Sequence, residues 1–203
     1  MHDSQGRKRK LMVVATAVFT ALALAAAPSR AQVTVFTAAL TGAQEVPPNG
    51  SPAVGFVTAT LDQTLNTLTV SETFSGLIGG PAAAAHIHCC AVPGTNAPVA
   101  VPFTGFPAAT AGNYFLQVDL TSITTFSSAF VTANGGTAAS ARAALIAGMF
   151  SGMAYANIHD NEFPGGEIRG QLAAVVTPEP ASLLLIGTGL FFMGGLARRR
   201  SRR

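Results

Sequence analysis

Three of the chain's four histidines fall in two similar tripeptides, His86-Ile87-His88 and Asn157-Ile158-His159. The second leads within a few residues to Glu167-Ile168-Arg169-Gly170-Gln171-Leu172. On a β-strand successive side chains point to opposite faces, so His86 and His88 share one face while Ile87 enters the core. Asn157 and His159 flank Ile158 in the same way. In the last segment Glu167, Arg169 and Gln171 point one way and Ile168, Gly170 and Leu172 the other. If the three segments are neighbours with their isoleucines inward, His86, His88, Asn157, His159, Glu167 and Arg169 form one polar site. Neutral imidazole suits zinc or copper, and a His-x-His pair on a strand offers two ligands from one face. His159, Glu167 or a thiolate from Cys89 or Cys90 then completes a coordination sphere. The alternative needs no metal: the imidazoles bond to backbone or carboxylates, and Glu167 and Arg169 form a local ion pair.

Cys89 and Cys90 are the only cysteines. Cys89 faces away from His88 if the strand continues, and neighbouring cysteines make no disulfide framework. A vicinal disulfide, thiol ligation and pairing with another chain all stay open.

The elements that must position these groups are short segments rich in Val, Thr, Phe and Ala, separated by Gly, Pro and Asn clusters. That pattern predicts an all-β fold, an antiparallel β-sandwich. The expected strands are Val33 to Leu40, Ala53 to Leu61, Thr67 to Phe74, Ala84 to Cys89, Tyr114 to Leu120, Ala154 to His159 and Glu167 to Val175. Turns are expected at Pro47-Pro48-Asn49-Gly50, Gly79-Gly80-Pro81, Pro93-Gly94 and Pro164-Gly165-Gly166. Glu72 is anomalous on the apolar face formed by Leu68, Val70 and Phe74. Alanine-rich Thr137 to Met149 predicts one short helix, with Ala144, Leu145 and Met149 as its apolar stripe.

The two ends read differently. Arg7, Lys8, Arg9 and Lys10 precede an apolar run from Leu11 to Ala27 and small residues up to Ala31, which predicts a secretory signal peptide over 1–31, with a permanent N-terminal anchor as the alternative. At the C-terminus Pro178-Glu179-Pro180 precedes an apolar run from 181 to 197, closed by Arg198, Arg199, Arg200, Arg202 and Arg203. This run predicts a short transmembrane helix with its arginines cytoplasmic, so that the 32–176 domain lies outside the inner membrane.

The formal net charge of +3 comes from those ends. Between 32 and 176 the cations are Arg142 and Arg169, against seven carboxylates, leaving the domain near −5. No basic patch remains to neutralise phosphates, which excludes nucleic-acid partners. The chain has neither a phosphate-binding Walker loop nor a G-x-S-x-G nucleophile elbow.

The order Pro178-Glu179-Pro180, hydrophobic helix, arginine cluster over 177–203 resembles the PEP-CTERM sorting signal of bacterial exported proteins, with Thr177 where that family commonly has valine. The resemblance implies an exosortase partner, transient anchoring in the inner membrane, and then release or attachment at the cell surface. The elements AxLxGxxEVPP at 39–48, AHIH at 85–88, YxNIH at 155–159 and FPGGEIRGQL at 163–172 together resemble the CHRD domain, an extracellular β-rich module with no settled biochemical activity. Cys89-Cys90 departs from that family's usual small or glycine-containing turn. His86-Ile87-His88 also resembles the copper-ligand tripeptide of copper-zinc superoxide dismutases, β-sandwich enzymes that use more histidines than this chain offers. Within the sandwich class an immunoglobulin-like or superoxide-dismutase-like form is expected. These resemblances imply an exported, non-enzymatic surface or matrix module, with extracellular polysaccharide or surface proteins as partners. The competing expectation is a redox-active copper or zinc protein using His86, His88 and His159.

Overall fold

The computed structural model describes residues 33–175. Nine strands form one antiparallel sheet: β1 (Val33–Thr41), β2 (Val54–Asp62), β3 (Thr67–Ser75), β4 (Ala84–Cys89), β5 (Val99–Pro102), β6 (Gly112–Asp119), β7 (Ala154–His159), β8 (Ile168–Gln171) and β9 (Ala173–Ala174). Their spatial order is β5-β4-β7-β8-β1-β2-β3-β6, with β9 also on β1. The all-β class expected from sequence is present. The strands are joined as a single curled sheet rather than two separate ones, because β8 reaches β1 through the pair Thr41↔Arg169 and β9 adds Phe36↔Ala174 and Thr37↔Ala173.

Period-two alternation builds the core. β1, β2 and β3 run in unbroken register, with Ala38 opposite Val57 and Val57 opposite Glu72, so Phe36, Leu40, Val57, Leu61, Leu68 and Val70 become fully buried. From the other half of the sheet Ile87, Ile158 and Ile168 enter the same core. Fully burying side chains of this size stabilises the fold by about 1.5–3 kcal/mol each.

Among the described residues two α-helices pack on the sheet, where the sequence predicts one between 137 and 149. α1 (Ser128–Ala133) starts at Ser127, whose hydroxyl accepts from the Phe130 amide, and it buries Phe130 and Val131. At six residues it is too short for its apolar period to stand out. α2 (Ala138–Phe150) begins with a capping box between Thr137 and Ser140 and buries Ala141, Leu145, Gly148 and Met149. Leu145 and Met149 of the expected stripe are buried, whereas Ala144, its third member, is only partly buried against the core and Ala141 is fully buried instead.

Strand β5 is a further element absent from the sequence expectations, four residues ending in proline. The expected strand Glu167 to Val175 divides into β8 and β9 at Leu172. Among the described residues no helix is long and apolar enough to cross a membrane. The expected signal peptide (1–31) and transmembrane helix (181–197) lie outside the described residues.

Candidate functional site: a three-histidine face under polar loops

The register of β4 with β7 decides where the histidines go. Ala84 pairs with His159, His86 with Asn157 and His88 with Tyr155. Residues paired this way share a face, so both tripeptides present their polar side chains together while Ala85, Ile87, Ala156 and Ile158 are buried on the opposite side. β8 adds Arg169 opposite Asn157 and Gln171 opposite Tyr155. One row across the sheet therefore reads Pro102, His86, Asn157, Arg169, Thr41.

The metal-ligating atoms of His86, His88 and His159 all lie within 4.8 Å of one another. Ring centroids are 5.4 Å apart for His86 and His88, 5.0 Å for His86 and His159, and 5.9 Å for His88 and His159. Tetrahedral zinc with nitrogen ligands at 2.0–2.1 Å would set those nitrogens about 3.4 Å apart, so the cluster would have to contract to hold one.

Hydrogen bonds select the tautomers. His88 Nδ1 is 2.8 Å from the Ala97 carbonyl, which can only accept, so Nδ1 carries the hydrogen. His88 Nε2 is then a lone pair, buried and without a hydrogen-bond partner, and His86 Nδ1 is a second buried ring nitrogen with none. His159 Nδ1 donates to the Pro164 carbonyl at 3.0 Å, which leaves Nε2 as an acceptor 2.9 Å from Asn157 Oδ1. Two acceptors face each other there. An Asn157 amide turned to present its otherwise unpartnered Nδ2 satisfies that contact.

Burial keeps the cluster uncharged. Desolvation pushes His86 down to about 4, helped by the neighbouring imidazoles, and pushes His88 to about 4 against the raising effect of its bond to Ala97. His159 is lowered by burial too, opposed by its bond to Pro164. Neutral imidazole is the metal-binding form. Backbone carbonyls on the far nitrogens of His88 and His159 are the kind of outer contact that orients metal-ligating histidines.

The walls come from strands β7 and β8 and from loops that fold over them. Tyr155 stacks on His88, with centroids 4.7 Å apart and planes 4° from parallel, and the Arg169 guanidinium carbon lies 3.8 Å over the Tyr155 ring. Arg169 Nε stands 3.3 Å from Glu45 Oε2, both side chains almost fully buried, and Arg169 Nη2 also bonds to Asn96. Burial raises Glu45 to about 7, opposed first by Arg169 and then by the Asn157 amide, although Nδ2 is outside hydrogen-bonding geometry. Gly166 closes this corner at φ +125°. A Cβ there would fall onto Glu45 Oε1 and 2.7 Å from Asn157 Nδ2.

Five of the six polar-site residues expected from sequence, His86, His88, Asn157, His159 and Arg169, come together. Glu167 does not. β8 begins at Ile168, and the turn through Gly166 directs Glu167 into a separate buried pocket, where it accepts from Ser51 Oγ at 2.5 Å and the Ile78 amide at 2.8 Å. Burial first and a hydrogen bond with Asp160 second raise its pKa. The local Glu167–Arg169 ion pair is thus replaced by Glu45–Arg169. Cys89 and Cys90 are disulfide-bonded to each other, and Cys89 is on the core side, so no thiolate joins the histidines. Glu45, Tyr155 and the carbonyls of Ala97 and Pro164 were not anticipated. Tyr155 was legible, being in phase with Asn157, and Glu45 belongs to the AxLxGxxEVPP element.

A comparison with curated proteins and with solved structures returns no match. The PEP-CTERM protein-sorting motif matches residues 176–203, which marks the chain as exported, processed by exosortase and destined for the cell surface. The CHRD domain matches residues 36–172, from the first buried phenylalanine of β1 to the last core leucine, and the chain accordingly belongs to the CHRD domain family.

Proposed function

We propose that the exported β-domain is a non-enzymatic, metal-holding module of the cell surface or extracellular matrix, binding one zinc or copper ion through His86 Nδ1, His88 Nε2 and His159 Nε2. The observation that carries this reading is the convergence of three imidazoles, each with a ligand atom within 4.8 Å of the others, two of which keep a buried ring nitrogen without a hydrogen-bond partner. A buried unsatisfied acceptor costs about 1–3 kcal/mol, and a bound cation removes that cost at both nitrogens. Binding rather than catalysis is favoured because Glu45, the carboxylate beside this face, is committed to Arg169. The test is elemental analysis of the full chain after exposure to zinc or copper and removal of loosely held ions. One equivalent retained by the wild type and lost in His88→Ala supports the reading; equal retention in both overturns it.

A second reading, a polysaccharide-binding role within a matrix such as a biofilm, is favoured by the outer face of β2, β3 and β6. There Phe56, Thr73 and Asn113 form one row, Thr58, Ser71 and Phe115 the next, and Thr60, Thr69 and Gln117 a third. None of the nine is charged. Phe56 and Phe115 are 48% and 69% exposed, and a hydroxyl-rich surface with two exposed aromatic rings suits sugar rings. Loss of co-sedimentation with matrix polysaccharide in Phe115→Ala supports this role, and unchanged co-sedimentation rules against it.

A further inference from the structure

The Cys89–Cys90 bond plays no part in the histidine face. Cys89 closes β4 and is fully buried, whereas Cys90 is exposed. The joined sulfurs dock against Gly148 of α2, where a Cβ would fall on Cys89 Sγ and 2.5 Å from Cys90 Sγ. Cys90 Sγ is also 3.4 Å from the Ala144 carbonyl, one turn earlier on the same helix. The helix thus presents a gap without a side chain, and the disulfide fills it.

A staple does not account for this bond. The stabilisation a disulfide gives by restricting the unfolded chain grows with the length of the loop it closes, and a bond between sequence neighbours closes the shortest loop available. What the pair does offer is a bond between one exposed and one buried residue, at the junction of a strand and a helix.

We propose that Cys89–Cys90 is a two-electron thiol–disulfide exchange site for an external dithiol, and that α2 responds to its state. A thiolate of the dithiol attacks Cys90 Sγ; the Cys90–Cys89 bond breaks, and Cys89 Sγ leaves with the electron pair and takes up a proton. The mixed disulfide on Cys90 is then attacked by the dithiol's second thiolate, which releases Cys90 as a thiol and leaves the reagent as its own disulfide. The electrons come from the reagent, and one disulfide is exchanged for another. Two unbonded sulfurs must move apart to van der Waals distance, and against Gly148 that separation displaces α2. The Ala144 carbonyl is placed to accept from the new Cys90 thiol.

This proposal is independent of metal binding and is tested on the full chain with chelator present, using dithiothreitol as the probe. Expected without denaturant are two alkylatable thiols, their loss on reoxidation by oxidised glutathione, and backbone hydrogen exchange across Ala138–Phe150 faster by about tenfold in the reduced form. A single glutathione trapped during reoxidation maps to Cys90. In Cys89→Ser/Cys90→Ser the reagent changes nothing; should that variant not fold, the oxidised and reduced wild-type chains still give the comparison. Thiols that appear only in denaturant, identical exchange of α2 in both states, or glutathione trapped on Cys89 would each overturn the proposal.

Discussion

Replacing Glu72 by glutamine turns the most deeply buried anomaly of the sheet into a measurement. Glu72 is fully buried in the middle of β3, between Val57 and Tyr114 in register, and neither carboxyl oxygen has a hydrogen-bond partner. Burial raises its pKa from 4.5 to about 8. Unfolded, the carboxyl ionises near 4.5; folded, it keeps its proton until about 8. Its contribution to stability is therefore fully present below pH 4.5, falls as pH rises, and levels off above about 8. Each pH unit in that window costs about 1.4 kcal/mol, so the loss is about 3 kcal/mol by pH 7 and at most about 5 kcal/mol by pH 8. Glutamine has nearly the shape of the neutral acid and does not titrate. Glu72→Gln should match the wild type at pH 4.5 and exceed it progressively at higher pH. In urea, with a slope of about 2 kcal/mol per molar, the midpoint gap at pH 7 is about 1.5 M. Other titrating groups cancel in the difference between the two proteins. Circular dichroism melts in urea at pH 4.5, 6, 7 and 8 (values that bracket the window) measure it. A gap that stays constant with pH would refute the reasoning, because it would mean that the folded chain does not hold a proton on Glu72.

The histidines act at the opposite end of the pH scale. With His86 and His88 lowered from 6.5 to about 4, the metal-free chain should lose stability as pH falls from 6.5 towards 4, and His86→Ala/His88→Ala should flatten that limb of a thermal-melt profile. Because both rings are already neutral at pH 7, calorimetry of zinc binding in buffers of different ionisation heat should show almost no proton released by them. Arg169→Met strands Glu45 in a buried pocket and should cost about 3–5 kcal/mol, with Glu45→Gln/Arg169→Met recovering part of the loss in the same urea assay. Gly166→Ala places a methyl group on Glu45 and Asn157 at a positive φ and should lower the urea-derived stability by more than 1 kcal/mol.

Alternation made the histidine face legible. Ile87 and Ile158 mark the inward phase of β4 and β7, and once those strands pair, His86, His88, Asn157 and His159 have one side to occupy. Arg169 followed from the same counting on β8. The counting failed at Glu167 because a period of two holds only inside a strand, and Gly166 at φ +125° changes the backbone direction just before β8 begins. Glu45, Asn96 and Ala97 could not be reached by periodicity, since they lie in loops where no strand period applies: Asn96 meets Arg169 across 73 residues, and Ala97 folds back on His88 from nine residues away. β5 and α1 are too short for a pattern to distinguish them from turns. The single curled sheet rests on the few ladder pairs that β8 and β9 make with β1, a long-range choice that strand composition does not encode.

The central claim is that two strands bring three neutral imidazoles into one metal-binding cluster. It is tested most directly by the metal stoichiometry of the full chain, with His86→Ala, His88→Ala and His159→Ala beside the wild type. One zinc or copper per wild-type chain, lost in each single variant while the circular dichroism spectrum is retained, is the predicted result. A wild-type chain that retains no metal, or variants that retain as much as the wild type, would contradict it.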